Sequence, residues 1–337
     1  MAEEEEYKAT PATLPRCDFY HVRFMIRFFL TEVLGLGMII FIITCHSASG
    51  ALTSPVNGPV TAAAAFAVAV WTIGPVTGPQ ITPILSVALL MTRRINFVYC
   101  ILGIAGQICG ALIGVALGSQ MVPGLSEKNN LLLHWPGAGL SDGQVFGLEC
   151  ICSFFLIICC LSTIDEFRKP HWIEGHITVF SLIVYLLILF LASVLAETTG
   201  VGMNPSASLA GAIYNHNFGK IWIYIVAPIC GSVIAVLLWE MVLSDGASWE
   251  RTKHWWTDPY FDRTKDYKKL KRQEELDYYT EEAMLRIVHS MHKYFHFENV
   301  PLLHQLIPSQ ASETKLSETT IISYLLISYL ACYVTRG

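Results

Sequence analysis

Long stretches without charge constrain this chain more than any other feature. Only Glu32 is charged between residues 28 and 92, and no residue from 95 to 126 is charged. Soluble helices keep a polar face, so runs of this length do not fit a soluble core. A bilayer accommodates them, because about 20 apolar residues span its hydrocarbon layer. The composition agrees, since 53% of the 337 residues are hydrophobic.

The apolar segments predict an all-α membrane protein with six transmembrane helices. Their expected bounds are 24–44, 61–76, 97–118, 144–164, 173–195 and 220–243. A transmembrane domain over 24–243 is then flanked by a short segment, 1–23, and a tail, 244–337. The first 16 residues hold no apolar run of their own, so we expect no cleavable signal and insertion through the first span.

The placement of lysine and arginine predicts the orientation of the spans. Basic residues lie before the first span, after the second, between the fourth and fifth, and after the sixth. They are Arg16, Arg23, Arg27, Arg93, Arg94, Arg168, Lys169, Arg251 and Lys253. The opposite loops hold little beyond Lys128 and Lys220. Because positive residues favour the cytoplasmic side, both termini are expected there. The plasma membrane is the expected location.

Two segments of the chain echo each other. One runs from Thr77 to Ser86 and the other from Thr199 to Ser208. Each has Thr-Gly, then a polar residue followed by proline, then a short apolar run. Three spans lie in each half of the chain, so the two halves must be inverted relative to each other.

The echoed segments predict two re-entrant half-helices. Thr82 and Asn204 are good N-cap residues, and Pro83 and Pro205 then occupy the first helical position, where proline costs nothing. Ile84 and Ser206 follow them. Helices this short cannot lie in lipid, and must line protein or water. Entering from opposite faces, they would meet at their positive N-terminal ends and repel cations beside a path for water.

With these echoes the chain resembles the aquaporins, or major intrinsic proteins, over about 24–243. The echoes match the paired Asn-Pro-Ala boxes of that family, here Thr82-Pro83-Ile84 and Asn204-Pro205-Ser206. The third span also resembles the family, as does the sixth, at Gln107, Gly110, Trp222, Tyr224, Pro228 and Gly231. The resemblance implies a homotetramer in the lipid bilayer, with a pore for water or small uncharged solutes such as glycerol or urea in each subunit and no cofactor.

Glu32 and Glu149 lie where the family places a glutamate in the first and fourth spans. A carboxylate inside an apolar span is expensive and is expected to face the bundle interior. It could there accept hydrogen bonds from the loops before the half-helices. We favour this structural role over a role in transport or proton relay.

The departures from the family fall at the expected selectivity filter. The family usually has arginine three positions after the second-box asparagine, where this chain has Ala207. The other filter positions, counted from the boxes, are Ala62, Ala192 and Val201. Four small apolar residues predict a wider and more apolar constriction than in a strict water channel, with Phe66 as a candidate replacement plug.

Some features of the sequence also fit functions other than a channel for uncharged solutes. The altered first box and missing arginine also suit a poorly conducting member with an adhesion, signalling or structural role, or an ion-conducting variant. An enzyme is not expected, because no histidine pairs with cysteine or carboxylate at catalytic spacing. The ten cysteines lack zinc-type spacing, and no basic patch suggests nucleic acid.

Three further patterns concern helix packing and the C-terminal tail. Glycines at every fourth position of the third span, from Gly106 to Gly118, indicate close helix packing, within one subunit rather than between two. Residues 266–296 read as an amphipathic helix with a basic start, either solvated or touching anionic lipid. The apolar stretch 321–334 is too short to span a membrane.

Overall fold

The computed structural model describes residues 21–47, 57–78, 80–128, 130–165 and 177–295. The apolar stretch 321–334 and the first 20 residues lie outside this part of the chain. Within it the protein is helical and has no β-strand. The predicted all-α architecture is confirmed.

Ten α-helices are described. They are α1 Val22–His46, α2 Asn57–Thr77, α3 Pro83–Met91, α4 Phe97–Met121, α5 Asp142–Thr163, α6 Ile177–Leu195, α7 Pro205–Tyr214, α8 Ile221–Leu238, α9 Trp249–Thr257 and α10 Tyr267–Phe295. A π-helical turn, Trp239–Leu243, extends α8. Six of these helices correspond to the six predicted spans, and α3 and α7 are the two short half-helices.

Five of the described helices are long and apolar enough to cross a membrane: α1, α2, α4, α5 and α8. Helix α8 reaches this length together with its π turn. The apolar part of α6, Phe180–Leu195, is shorter. Many large apolar side chains on these helices are exposed, such as Leu34, Ile101 and Phe190. Outward-facing apolar side chains are expected where the surrounding medium is lipid.

The chain packs as two halves with matching helix pairs. In the first half α1 packs along α4, in the second α5 packs along α8, and α2 meets α6 between them. Each half-helix lies against the spans: α3 contacts α4 and α8, and α7 contacts α4 and α8 as well. Because each half-helix contacts a span from both halves of the chain, both half-helices lie inside the bundle.

The glycine ladder of α4 is an intrachain contact surface. A Cβ atom on Gly110 would lie 2.3 Å from the carbonyl oxygen of Val33, and one on Gly114 would lie 2.6 Å from that of Gly37. Backbones this close leave no room for a side chain. Gly231 has the same role in the other half, where a Cβ on it would lie 2.1 Å from the carbonyl oxygen of Cys150. The glycines therefore pack helices within the chain.

The packed structure does not stop at residue 243, where the sequence places the domain boundary. Arg251, Trp255, Arg263 and Tyr267 are all buried. The first compact unit defined by contacts extends to Lys268. The domain limits themselves stay a prediction. In the second unit, α10 exposes Leu276, Tyr278 and Tyr279, and its possible contact with lipid stays a prediction too.

We expect Gly110→Ala to destabilise the bundle, because its Cβ would overlap the Val33 carbonyl. Overpacking of this kind costs about 1–3 kcal/mol. Thermal unfolding of the purified protein in detergent measures the effect. Gly147→Ala is the matched control, since a Cβ there meets nothing within 4 Å and alanine favours helix. Equal midpoints for the two variants would contradict the close packing of α1 and α4.

Candidate functional site: the paired half-helices

Glu32 holds the loop that leads into α3. The backbone N–H of Gln80 donates to Oε1 and that of Ile81 to Oε2, each at 2.8 Å. The amide of Gln107 also donates to Oε2, at 2.8 Å, and to the hydroxyl of Ser86, at 3.1 Å. Glu32 is fully buried. Hydrogen bonds to both oxygens offset the cost of removing this carboxyl group from water.

Glu149 holds the loop that leads into α7 at the equivalent place. The N–H of Gly202 donates to Oε1 at 2.9 Å, and the hydroxyl of Thr199 donates to the same oxygen. In the first half, the hydroxyl of Thr77 pairs instead with that of Thr31, at 2.7 Å. Each carboxyl group thus binds the backbone N–H two residues before its box, at Gln80 or Gly202. The structural role that the sequence predicts for both is compatible with these contacts.

The two loops turn sharply before their boxes. Ile81 has φ of 62° and Val201 has φ of 66°, in the left-handed region that β-branched residues rarely adopt. Gly78 and Gly200, at matched positions, have φ of 72° and 81°, where glycine alone carries no steric penalty. The strain at Ile81 and Val201 has to be offset locally, and the hydrogen bonds to Glu32 and Glu149 act directly on these loops.

Asn204 is the N-cap of α7, and its side chain makes three hydrogen bonds. Its Oδ1 accepts from the N–H groups of Ser206, at 3.2 Å, and Ala207, at 3.4 Å. Its Nδ2 donates across the structure to the carbonyl oxygen of Ile81, at 3.0 Å. The residue therefore caps its own half-helix and ties it to the loop before the other. Pro205 follows at the first helical position.

Thr82 occupies the N-cap position of α3 but does not cap it. Its side chain makes no hydrogen bond to the N–H groups of the first turn. The hydroxyl instead approaches the carbonyl oxygen of Met203 at 3.5 Å, a long and weak contact. The side-chain cap expected at Thr82 is therefore absent. Its short hydroxyl either bonds locally or reaches across, whereas the larger amide of Asn204 does both.

The N-termini of α3 and α7 consequently face each other. Asn204 reaches the carbonyl before Thr82, and Thr82 reaches the carbonyl before Asn204. Pro83, Ile84, Pro205 and Ser206 are all buried directly behind this junction. Helix N-termini carry partial positive charge, so two of them together disfavour a cation between them. This electrostatic arrangement suits a path for uncharged molecules.

The four candidate filter residues lie on three elements and one loop. Ala62 on α2 and Ala207 on α7 are half-buried, Ala192 on α6 is buried, and Val201 is half-buried in the loop before α7. All four are small and apolar. Phe66, one turn from Ala62, is half-buried against the central hydrophobic core. The assignment of these residues to a selectivity filter stays a prediction.

His134 is a site residue that the sequence did not reveal. Its Nδ1 lies 2.8 Å from the hydroxyl of Ser208 on α7. Its ring lies 5.5 Å from that of Tyr224. The histidine borders a cavity of about 10 Å³, the size of one water. A lone loop histidine has no sequence pattern that predicts such packing.

The loop around His134 holds α7 from one side. The side chain of Asn215 donates to the carbonyl oxygen of Leu131 at 2.7 Å. A Cβ on Gly211 would lie only 2.2 Å from the carbonyl oxygen of Leu132. The N–H of Gly137 donates to the carbonyl of Thr198 at 2.7 Å. The loop thus fixes both α7 and the segment that precedes it.

Paired re-entrant half-helices within an inverted repeat of long apolar helices define a class of membrane channel. A family model described as "Major intrinsic protein" matches residues 19–239. That match covers more than half of the chain. The protein belongs to the major intrinsic protein family, and the resemblance drawn from the sequence is confirmed.

Known relatives support the same assignment. Aquaporin-1 of Bos taurus is 30% identical over 236 residues, which are 65% of this chain and 84% of that protein. Aquaporin-1 of Homo sapiens is 28% identical over 186 residues, or 54% of this chain and 66% of the relative. The X-ray structure of the aquaglyceroporin from Plasmodium falciparum shares the fold, with a TM-score of 0.59 at 18% identity over 65% of this chain and 96% of its own.

These findings identify a passive, multi-pass membrane channel for water or small uncharged solutes. The alternative reading, a poorly conducting member with another role, is not favoured by them. Proteins of this family are channels rather than enzymes. Among the described residues, no group of three or more histidine, cysteine or acidic side chains could hold a metal ion.

We predict that Asn204→Asp weakens the junction of the half-helices. Aspartate keeps the acceptor for Ser206 and Ala207, but it replaces the Nδ2 donor to Ile81 with an oxygen. Leaving a buried carbonyl without its donor costs about 1–3 kcal/mol. Thermal unfolding and water flux in proteoliposomes should both fall. Asn217→Asp is the control, since among the described residues the side chain of Asn217 accepts at Oδ1 from the N–H of Gly219, and aspartate keeps that acceptor.

Burial of the imidazole lowers the pKa of His134 from 6.5 to about 4. The unfolded chain then takes up a proton at a higher pH than the folded one. We therefore expect stability to be complete above pH 6.5 and to fall as the pH drops from there towards 4. Unfolding midpoints against pH measure this dependence. His134→Gln should flatten it, whereas the exposed His216→Gln should not; identical profiles for all three proteins would contradict the buried site.

Proposed function

We propose that water and small uncharged solutes pass through each subunit along the facing N-termini of α3 and α7. The observation that carries this proposal is the reciprocal contact of the two boxes. Asn204 donates to the carbonyl of Ile81, and the hydroxyl of Thr82 approaches the carbonyl of Met203. A path bordered by these groups offers carbonyl oxygens to water and a positive field to cations.

We assign the selection of permeants, at the narrowest point of the proposed pore, to Ala62, Ala192, Val201 and Ala207. None of these side chains carries a charge or a hydrogen-bond donor. A pore lined in this way excludes by size and admits molecules that are larger and less polar than water, such as glycerol or urea. The relatives agree with this breadth, because their names include both aquaporins and an aquaglyceroporin.

Rejection of cations and protons then rests on the half-helices. With alanine at position 207, no fixed side-chain charge occupies that filter position. The N-terminal dipoles of α3 and α7 remain, and each helix end is equivalent to about half a positive charge. Glu32 and Glu149 serve this arrangement as structural carboxylates, because they hold the loops that aim the helices.

The family and the placement of charges support a proposal for assembly and location. The protein is proposed to form a homotetramer in the plasma membrane, with a pore in every subunit. Both termini are assigned to the cytoplasm, supported by Arg93 and Arg94 after α3 and by Arg251 and Lys253 after α8. Lys128 lies in a loop assigned to the opposite face.

The test compares wild type with Ala207→Arg for water, glycerol and urea flux in proteoliposomes. The arginine adds length, charge and donors at the proposed filter, so solute flux should fall more than water flux, by about tenfold relative to it, or 1.4 kcal/mol. Ala207→Met adds bulk without charge and separates the two effects. An equal reduction for all three permeants would place Ala207 outside the filter, and no flux through wild type would refute the channel.

A further inference from the structure

An ion cluster lies at the end of α8, away from the half-helix junction. Glu240, in the π-helical turn, is fully buried. Its Oε2 lies 2.5 Å from Nη1 of Arg251, and its Oε1 lies 2.8 Å from Nη1 of Arg263. Arg251 and Arg263 are 1% and 7% exposed. Burying three charges is costly, and breaking such a cluster leaves an uncompensated charge, so the partners are held together tightly.

The two arginines belong to a segment, residues 244–267, that we term the C-terminal strap. It contains α9 and an aromatic cluster. The ring of Phe261 stacks on that of Tyr267, with centroids 5.4 Å apart. The guanidinium groups of Arg93 and Arg251 lie 5.7 and 5.5 Å from the Phe261 ring. Cation–π contacts of this kind stabilise a guanidinium that is partly removed from water.

The strap ends on the C-terminus of half-helix α3. The indole N–H of Trp255 donates to the carbonyl oxygen of Met91 at 2.9 Å. Nη1 of Arg263 donates to the carbonyl oxygen of Thr92 at 2.8 Å. In return, Arg93 donates to the carbonyl oxygen of Asp258. The last carbonyls of a helix lack partners within it, and cationic donors suit their partial negative charge.

The two half-helices differ in how their ends are held. Half-helix α7 has its side-chain cap at the N-terminus, from Asn204, and the loop around His134 along its side. Half-helix α3 has no side-chain cap at Thr82, and it receives the strap at its C-terminus. Glu240 joins the two systems, because the Arg263 that it binds also donates to α3.

We propose that the C-terminal strap is a positioning element of the pore. Trp255 and Arg263 hold the C-terminus of α3, Glu240 anchors the strap to α8, and α3 in turn places the Thr82 box at the centre of the channel. The proposal rests on the channel function, but it assigns to that function Trp255 and Arg263, which lie beyond the spans and boxes, and Glu240 at the end of the last span. These residues touch no permeant, and they act through α3.

Three variants separate positioning from general stability. Trp255→Phe removes one donor and keeps most of the ring. Arg263→Met removes the charge and the donor to Thr92, and Arg263→Lys restores both. Glu282→Gln is the control, because it breaks an exposed ion pair with Arg286 in α10. Hydrogen–deuterium exchange of residues 83–92 and 205–214 and water permeability per channel are measured for each full-length protein.

We expect Trp255→Phe and Arg263→Met to speed exchange in residues 83–92 but not in 205–214, and to lower water permeability at least threefold. Arg263→Lys should stay within twofold of wild type, and Glu282→Gln should match wild type. Exchange that rises only within the strap, or α3 exchange that rises without a change in flux, overturns the proposal. If Arg263→Met fails to fold, Trp255→Phe decides. A non-conducting wild type would refute the channel function, and α3 exchange would then decide whether the strap holds α3.

Discussion

A bilayer offers no water to backbone N–H and C=O groups, and this constraint governs the centre of the protein. Two stretches of irregular backbone, before Thr82 and before Asn204, lie inside a bundle of apolar helices. Each exposed group there must find a partner, at a cost of several kcal/mol if it does not. Glu32 accepts from Gln80 and Ile81, and Glu149 accepts from Gly202. The costly carboxylates are thus what allows the chain to turn inside the membrane.

The same constraint explains the close helix pairs. Carboxylates that hold a loop must lie next to it, so α1 and α5 must approach the centre. Glycines on α4 and α8 allow that approach, since a side chain at Gly110 or Gly231 would overlap the backbone of the partner helix. Small residues at helix contacts are a general means of packing in lipid, where no hydrophobic effect drives helices together.

Periodicity and local chemistry account for what the sequence predicted well. Apolar runs of sufficient length gave the long helices to within a few residues, and the Asn-Pro and Thr-Pro signals gave the starts of α3 and α7. Contacts between distant residues were not predictable in this way. The failure of Thr82 to cap α3 depends on Met203 lying opposite, and the packing of His134 depends on Ser208 and Tyr224, which are 74 and more residues away along the chain.

The packed segment after α8 was missed for a related reason. Its composition is polar and charged, and such a pattern ordinarily indicates a solvated tail. Burial of Arg251 and Arg263 is offset because both pair with Glu240 at the end of an apolar helix. Arg263 also donates to a carbonyl oxygen at the C-terminus of α3, which lacks a partner within its helix. Neither condition is visible along the chain, because the residues that meet are up to 171 positions apart.

The two halves of the inverted repeat therefore hold their half-helices in different ways. Both half-helices must present their N-termini to the channel centre without drifting along their own axes. Asn204 fixes α7 at the proposed path of the permeant, where it both caps the helix and donates to the carbonyl of Ile81. In α3 no side chain caps the N-terminus, and the proposed strap adds donors at the C-terminus, so the side chain at position 82 has no capping role. A threonine is then sufficient there, and the departure of the first box from asparagine need not abolish the channel.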